Sequence, residues 1–194
     1  KRFYAPVLVS CLEHAGKGTV EIHVTNDMPA AFKGEVTWTV TTALGEPVIE
    51  DTFRVTVPER KNRRVMTLDL RDPLAELGTT DCLVWVSLSD GKHVVSRNLA
   101  TFGRPKRLSL EEPGLKAKVV KTGDSEFEVT ITSKRAALWT WLECEQADAR
   151  FSDNFLHVRP DHPRTVTVRT ESPVSLAAFR KQLQVQSLTD TFES

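Results

Sequence analysis

Residues 19–26 read Thr-Val-Glu-Ile-His-Val-Thr-Asn. Val20, Ile22 and Val24 alternate with Glu21, His23 and Thr25, so every apolar side chain falls on one face of a pleated chain. This is a half-buried strand, and the pattern repeats on both sides of it. Upstream, residues 6–12 form a short apolar segment. Downstream, residues 35–41 place Val36, Trp38 and Val40 on one face and Thr37, Thr39 and Thr41 on the other. Leu44-Gly45-Glu46-Pro47 has turn chemistry. Residues 49–57 carry Phe53, Val55 and Val57 in phase and stop at Pro58, and residues 64–70 alternate through Met66, Leu68 and Leu70. Residues 72–77 predict one helical turn, with Asp72 as N-cap and Pro73 in first position. Residues 81–88 and 94–102 flank Ser89-Asp90-Gly91-Lys92, a hairpin with Asp-Gly at its centre. About seven short strands with frequent turns predict a β-sandwich.

Gly103-Arg104-Pro105-Lys106 interrupts this pattern and has the composition of a linker. Alternation then resumes. Residues 115–121 and 126–132 flank Thr122-Gly123-Asp124-Ser125, and Phe127, Val129 and Ile131 share a face. Residues 138–145 and 151–158 predict two further strands, and Pro160-Asp161-His162-Pro163 turns the chain into residues 165–169. Residues 174–182 fit a short helix or a strand, and residues 183–188 close the pattern. The expected fold is all-β, two tandem immunoglobulin-like β-sandwiches over residues 1–105 and 106–194.

Composition agrees. Val and Thr, 22 and 21 of 194 residues, are stiff at χ1 and suit a pleated surface. The chain carries 26 basic and 26 acidic side chains, split 13 and 13 in each half, which argues against a nucleic-acid surface. No apolar run approaches the ~20 residues of a membrane helix. The first residue is Lys1, so the chain is expected to be a piece of a longer polypeptide. Cys11, Cys82 and Cys144 match no zinc or redox spacing and predict free thiols, which favours a reducing compartment such as the cytoplasm. Cys11, Trp38 and Cys82 imitate the Cys-Trp-Cys order of an immunoglobulin domain, but a whole strand lies between Cys11 and Trp38, so no inter-sheet disulfide is expected. None of the four Asn lies in a glycosylation sequon.

The sequence carries no nucleophile elbow, zinc-protease motif, phosphate loop or Cys-x-x-Cys. No catalytic residue, metal site or cofactor is expected. His157 and His162 flank a turn without completing a ligand set. Glu111 and Glu112 are adjacent and diverge in an extended chain, whereas Glu143 and Glu145 share one strand face, expected to be solvated. Neither pair makes the two-carboxylate set of a glycosidase. Exposed aromatics are the remaining binding chemistry. Trp38 is in phase with the core, Trp85 is out of phase with Val84 and Val86, and Trp139 and Trp141 share a face. Trp85, Trp139 and Trp141 are therefore the candidate sugar-stacking residues, with a core position as the plainer reading of the last two.

Residues 137–142, then Phe151-Ser152-Asp153-Asn154-Phe155-Leu156, Pro160 and Thr165-Val166-Thr167-Val168, resemble the last domain of β-mannosidases of glycoside hydrolase family 2. That family shows an F-x-D-N-[FY]-F-x-L-x-P-G-E pattern leading into a V-x-V strand. The ending Leu183-Gln184-Val185-Gln186-Ser187-Leu188-Thr189-Asp190-Thr191 is similar to its closing strand. Lys1-Arg2-Phe3-Tyr4-Ala5-Pro6-Val7, Val24-Thr25-Asn26-Asp27 and residues 99–110 resemble the exit from the barrel, a V-x-N-D segment and the inter-domain connector. One departure stands out: Pro160-Asp161-His162-Pro163 replaces the P-G-E turn.

The resemblance implies the two non-catalytic C-terminal sandwiches of an enzyme that removes terminal β-linked mannose with retention. Their partner would be the catalytic barrel of the same polypeptide, which holds both catalytic Glu. They would meet mannose-containing glycans only through that parent. Asp153 and Asn154 are expected to be structural, bonding nearby backbone to fix a corner. Two alternatives stay open: a carbohydrate-binding module, or an extracellular interaction protein of tandem sandwiches.

Overall fold

The computed structural model describes residues 5–145 and 148–192. Of the segment resembling the barrel exit, Lys1 to Tyr4 lie outside the described residues. The chain is all-β and divides into two compact units, Lys1–Ser109 and Leu110–Ser194.

The first unit contains β1 (Val7–His14), β2 (Thr19–Asn26), β3 (Phe32–Thr41), β4 (Pro47–Val57), β5 (Lys61–Asp69), α1 (Arg71–Leu77), β6 (Leu83–Ser89) and β7 (Val94–Thr101). They form two antiparallel sheets, in the orders β1-β2-β5 and β4-β3-β6-β7. Alternation decides what lies between them. Val20, Ile22 and Val24 are wholly buried, as are Val36, Val40, Val84 and Leu88 from the other sheet. Each such side chain contributes about 1.5–3 kcal/mol relative to exposure. Two side chains of β7 bond to the backbone of β1: Val9 N donates to Ser96 Oγ at 3.0 Å, and Asn98 Nδ2 donates to Val9 O at 3.3 Å. The β6–β7 hairpin is tied by Asp90, whose Oδ1 accepts from Lys92 N at 2.8 Å and His93 N at 2.7 Å, while Gly91 takes φ +89°.

The helical turn begins earlier than Asp72 predicts. Its N-cap is Leu70, and Asp72 and Pro73 fall inside the first turn. The reason is Asp69. Its carboxylate accepts from Arg71 N at 3.2 Å and from the Arg71 guanidinium, and these bonds hold its pKa down to about 2. A carboxylate one residue outside the cap thus does the work that Asp72 was expected to do.

Gly34 shows how closely the second sheet is packed. A Cβ there would lie 2.1 Å from the Ser89 carbonyl oxygen, which is backbone and cannot rotate aside. Gly34→Ala should therefore lower stability by about 1–3 kcal/mol, the usual cost of overpacking. Urea denaturation measures this, and an unchanged midpoint would contradict the close approach.

The second unit contains β8 (Lys116–Gly123), β9 (Glu126–Thr132), β10 (Ala137–Cys144), β11 (Ala149–Phe151), β12 (Leu156–Val158), β13 (Arg164–Thr170), α2 (Leu176–Gln182) and β14 (Leu183–Gln186). The sheets are β11-β13-β9-β8 and β12-β10-β14. Phe127, Val129, Ile131, Val166 and Val168 from the first face Ala137, Leu142, Leu156 and Val158 from the second, and Phe179 of α2 completes the core. The segment that fitted either a helix or a strand is thus helical from Leu176. Ser175 caps it, its Oγ accepting from Ala178 N at 3.2 Å.

The single strand predicted over residues 151–158 is instead two. β11 pairs with β13, and β12 pairs with β10 in the other sheet. Residues 152–155 carry the chain across. The side chains of Ser152 and Asn154 replace the interrupted ladder at the two ends of this crossing.

Candidate functional site

The crossing between β11 and β12 is built from the motif residues. Ser152 N donates to Thr167 O at 2.8 Å, and Ser152 Oγ accepts from Thr167 N at 2.9 Å. Ser152 thereby extends the β11–β13 pairing by one position. Asp153 Oδ1 accepts from Asn154 N at 3.0 Å, and its Oδ2 lies 3.7 Å from Arg164 Nη2. Asn154 then joins the other sheet. Its Oδ1 accepts from Leu142 N at 2.8 Å, and its Nδ2 donates to Leu142 O at 3.0 Å. A primary amide presents the same donor and acceptor as a peptide group, so Asn154 acts as one further rung beside β10.

The same Asn154 Oδ1 also accepts from Phe155 N at 3.1 Å. Phe155 sits at φ +54°, in the left-handed region that a bulky side chain seldom occupies, and is 58% exposed. Its ring stacks against Trp141, with centroids 6.2 Å apart and planes at 24°. Trp141 lies opposite Gln186 on β14, and Glu143 lies opposite Gln184. Gln184 Nε2 donates to Glu145 Oε1. One outward face of the β12-β10-β14 sheet thus carries two aromatic rings bordered by amides and carboxylates.

Trp139 stands beside this group but is engaged differently. It has φ +48° at a register shift between Ala137 and Thr140. Its N donates to His157 Nδ1 at 3.2 Å, and its ring meets the His157 ring edge-on at 5.2 Å. Neither Trp139 nor Trp141 belongs to the core of this unit, so the plainer reading of the pair as core does not hold. Trp85 lies in the first unit on the outward face of β6, opposite Thr39 and Leu99. It is half-buried, and its Nε1 donates to Thr41 Oγ1 at 2.8 Å. Trp38, expected in the core, packs partly buried against it.

Glu111 pairs with Arg135 at 3.2 Å, and Glu143 and Glu145 are exposed. Glu21, on the outward face of β2, accepts from Arg64 Nη1 at 2.9 Å and from His23 Nε2 at 3.1 Å. The bond to His23, then that to Arg64, hold its carboxyl below the ordinary range. His162 Nε2 lies 2.6 Å from Arg159 Nη2, and His157 Nδ1 accepts from Trp139 N. Among the described residues, no three His, Cys, Asp or Glu side chains gather as a metal site.

Two residues were not singled out from the sequence. Phe155 appeared only inside the motif, and nothing in a lone Phe announces a left-handed backbone. Asn26 is wholly buried, and its amide serves three carbonyls at the end of β2. Its signal was its place before Asp27 at a strand end.

All three cysteines are free thiols. Burial, aided by the Glu13 charge, pushes Cys11 up to about 12, and burial with Asp81 pushes Cys82 up to about 11. Burial also raises Cys144. An ordinary thiol is roughly a quarter ionised at pH 8, whereas a pKa of 12 leaves ~0.01%. Cys11 and Cys82 of the native chain should therefore react with a disulfide reagent at pH 8 orders of magnitude more slowly than in urea, where three thiols should titrate. Prompt labelling of more than one thiol in the native chain would refute the burial of Cys11 and Cys82.

Comparison with known proteins completes the description. Residues 18–107 match the family model described as a mannosidase Ig/CBM-like domain, and residues 110–191 match an Ig-fold domain model named for mannosidases. Beta-mannosidase A of Aspergillus niger is 26% identical over 207 aligned positions, which cover 96% of this chain. The chain spans only 21% of that protein's length. Among solved structures, a β-D-mannosidase from Dictyoglomus thermophilum superposes with a TM-score of 0.82 at 18% identity, over 96% of this chain and 22% of its own. An exo-chitosanase from Amycolatopsis orientalis gives 0.62 at 15% identity, over 96% and 26%. At these identities the structural likeness concerns the fold.

Proposed function

Since the chain belongs to the mannosidase Ig-type domain families, in residues 18–107 and again in residues 110–191, we propose that it serves a family 2 glycoside hydrolase that removes terminal β-linked mannose. The carrying observation is the match to a β-mannosidase across 96% of this chain but 21% of the relative. In this reading the chain is a non-catalytic part, and the chemistry resides in a barrel on the same polypeptide. Retaining hydrolysis needs two carboxyl groups about 5–5.5 Å apart across one bond. Glu111 is ion-paired with Arg135, and Glu143 and Glu145 lie open to solvent, unlike a catalytic acid whose pKa is raised by an enclosed site. The two sandwiches brace the barrel and hold its C-terminal side in place.

The test compares two polypeptides on an aryl β-D-mannoside, this 194-residue chain and the same chain joined to its native upstream sequence. Turnover is expected only from the longer one, with the β-anomer of mannose released first. Turnover by the 194-residue chain would overturn the non-catalytic assignment. A longer polypeptide that cleaves β-glucosaminides and ignores mannosides would overturn the substrate.

A further inference from the structure

We propose that Trp141 and Phe155 form a stacking platform for a pyranose ring, with Gln186 and Glu143 as hydrogen-bonding groups at its edge. The idea rests on the proposed function only for the class of sugar. The platform itself rests on geometry.

Phe155 is the decisive residue. Burial within this chain does not explain its position, because more than half of it is exposed. Local backbone preference does not explain it either, because φ +54° is disfavoured for an aromatic side chain. It is held there by the Asn154 amide, which bonds Phe155 N and both polar groups of Leu142. Strained backbone held by surrounding bonds is a recurrent feature of ligand clamps. The result is a ring presented to water at 24° to the half-buried Trp141.

The border supplies the other half of sugar recognition. A pyranose has an apolar C–H face and a rim of hydroxyls, so its site needs a flat ring with amides and carboxylates beside it. Gln186 is the cross-strand partner of Trp141, and Glu143 follows on the same face of β10. Glu143 and Glu145 are exposed, and Gln184 is bonded to Glu145. Two rings ringed by acids and amides make a poor protein interface, whose core is apolar and depleted in charge. They fit one sugar ring. Trp139 is not part of this shelf, since its ring is turned onto His157.

The test titrates the whole 194-residue chain with β-1,4-linked mannohexaose, read by Trp fluorescence and by saturation-transfer NMR. Saturable binding is expected at about 1 mM, a weak but measurable affinity. Phe155→Ala should weaken it at least tenfold, and Phe155→Tyr should retain it. Phe155 is 58% exposed, so both variants should keep the wild-type circular dichroism spectrum. Trp85→Phe should leave binding unchanged. Absence of saturation up to about 10 mM, or full affinity in Phe155→Ala, would overturn the platform. So would a concentration-dependent dimer that Phe155→Ala abolishes, because the shelf would then dock a second copy. Binding of glucan but not mannan oligosaccharides would support the platform while counting against the mannoside reading.

Discussion

Replacing Phe179 by Ala should lower the stability of the second unit by about 3–5 kcal/mol. Phe179 is wholly buried, and its ring lies parallel to Phe127, with centroids 4.0 Å apart and planes at 3°. Deleting it removes the transfer free energy of a benzyl group and leaves a hole that Phe127 cannot fill alone. The loss should also loosen α2, a helix of only seven residues that has little stability of its own. What else holds α2 is weaker: Leu176, only partly buried against the core, the Ser175 cap and the bond from Arg180 Nη2 to Val119 O at 2.9 Å. For a domain of this size the expected fall in melting temperature is roughly 12–40 °C. Scanning calorimetry, with Trp139 and Trp141 fluorescence reporting on this unit, measures it. Phe179→Leu should recover more than half of the loss. A fall under about 1 kcal/mol in Phe179→Ala would mean that the ring is not the anchor of the helix.

Asn26→Ala should have the second-largest effect, about 2–4 kcal/mol in the first unit, because the buried Val57 carbonyl and three partly buried backbone groups lose the one amide that serves them all. Asn26 Nδ2 donates to Ala30 O at 2.9 Å, to Val57 O at 3.1 Å and to Pro58 O at 3.1 Å. Its Oδ1 accepts from Met28 N at 3.1 Å. One amide therefore ties the turn after β2 to the end of β4. Asn26→Asp tests the role of the donors separately. It is nearly isosteric and keeps the bond from Met28 N, but it offers no N–H and turns a negative oxygen toward carbonyls. It should be as destabilising as Ala or more so. Urea denaturation followed by Trp38 and Trp85 fluorescence separates these outcomes. Wild-type stability in Asn26→Asp would show that the donor bonds contribute nothing.

These two residues show how unevenly the sequence speaks. Phe179 lay in the segment that fitted either a helix or a strand, since the nine residues 174–182 are too few for the two periods to separate. Its role became clear only with Phe127 beneath it. Asn26 stood in a V-x-N-D segment whose resemblance was visible, but resemblance gives no bond list. The crossing at residues 152–155 is similar. Residues 151–158 read as one strand, yet Phe151 and Leu156 are five apart and would face opposite sides of it, although both are core-type residues. Two sheets, not one, receive them.

The sequence by itself determined the all-β class, most strand positions and the apolar faces that meet in each core. This follows because side-chain direction alternates with every residue of an extended chain, so Val20, Ile22 and Val24 cannot face water without Glu21, His23 and Thr25 facing inward. It also determined the resemblance that leads to the family. Tertiary structure alone decided which sheet each short segment joins, that Asn154 replaces a strand rung, and that Phe155 stands in a left-handed conformation beside Trp141. Such features depend on partners distant in sequence. Leu142 is twelve residues from the Asn154 amide that it binds, and no local pattern encodes that meeting.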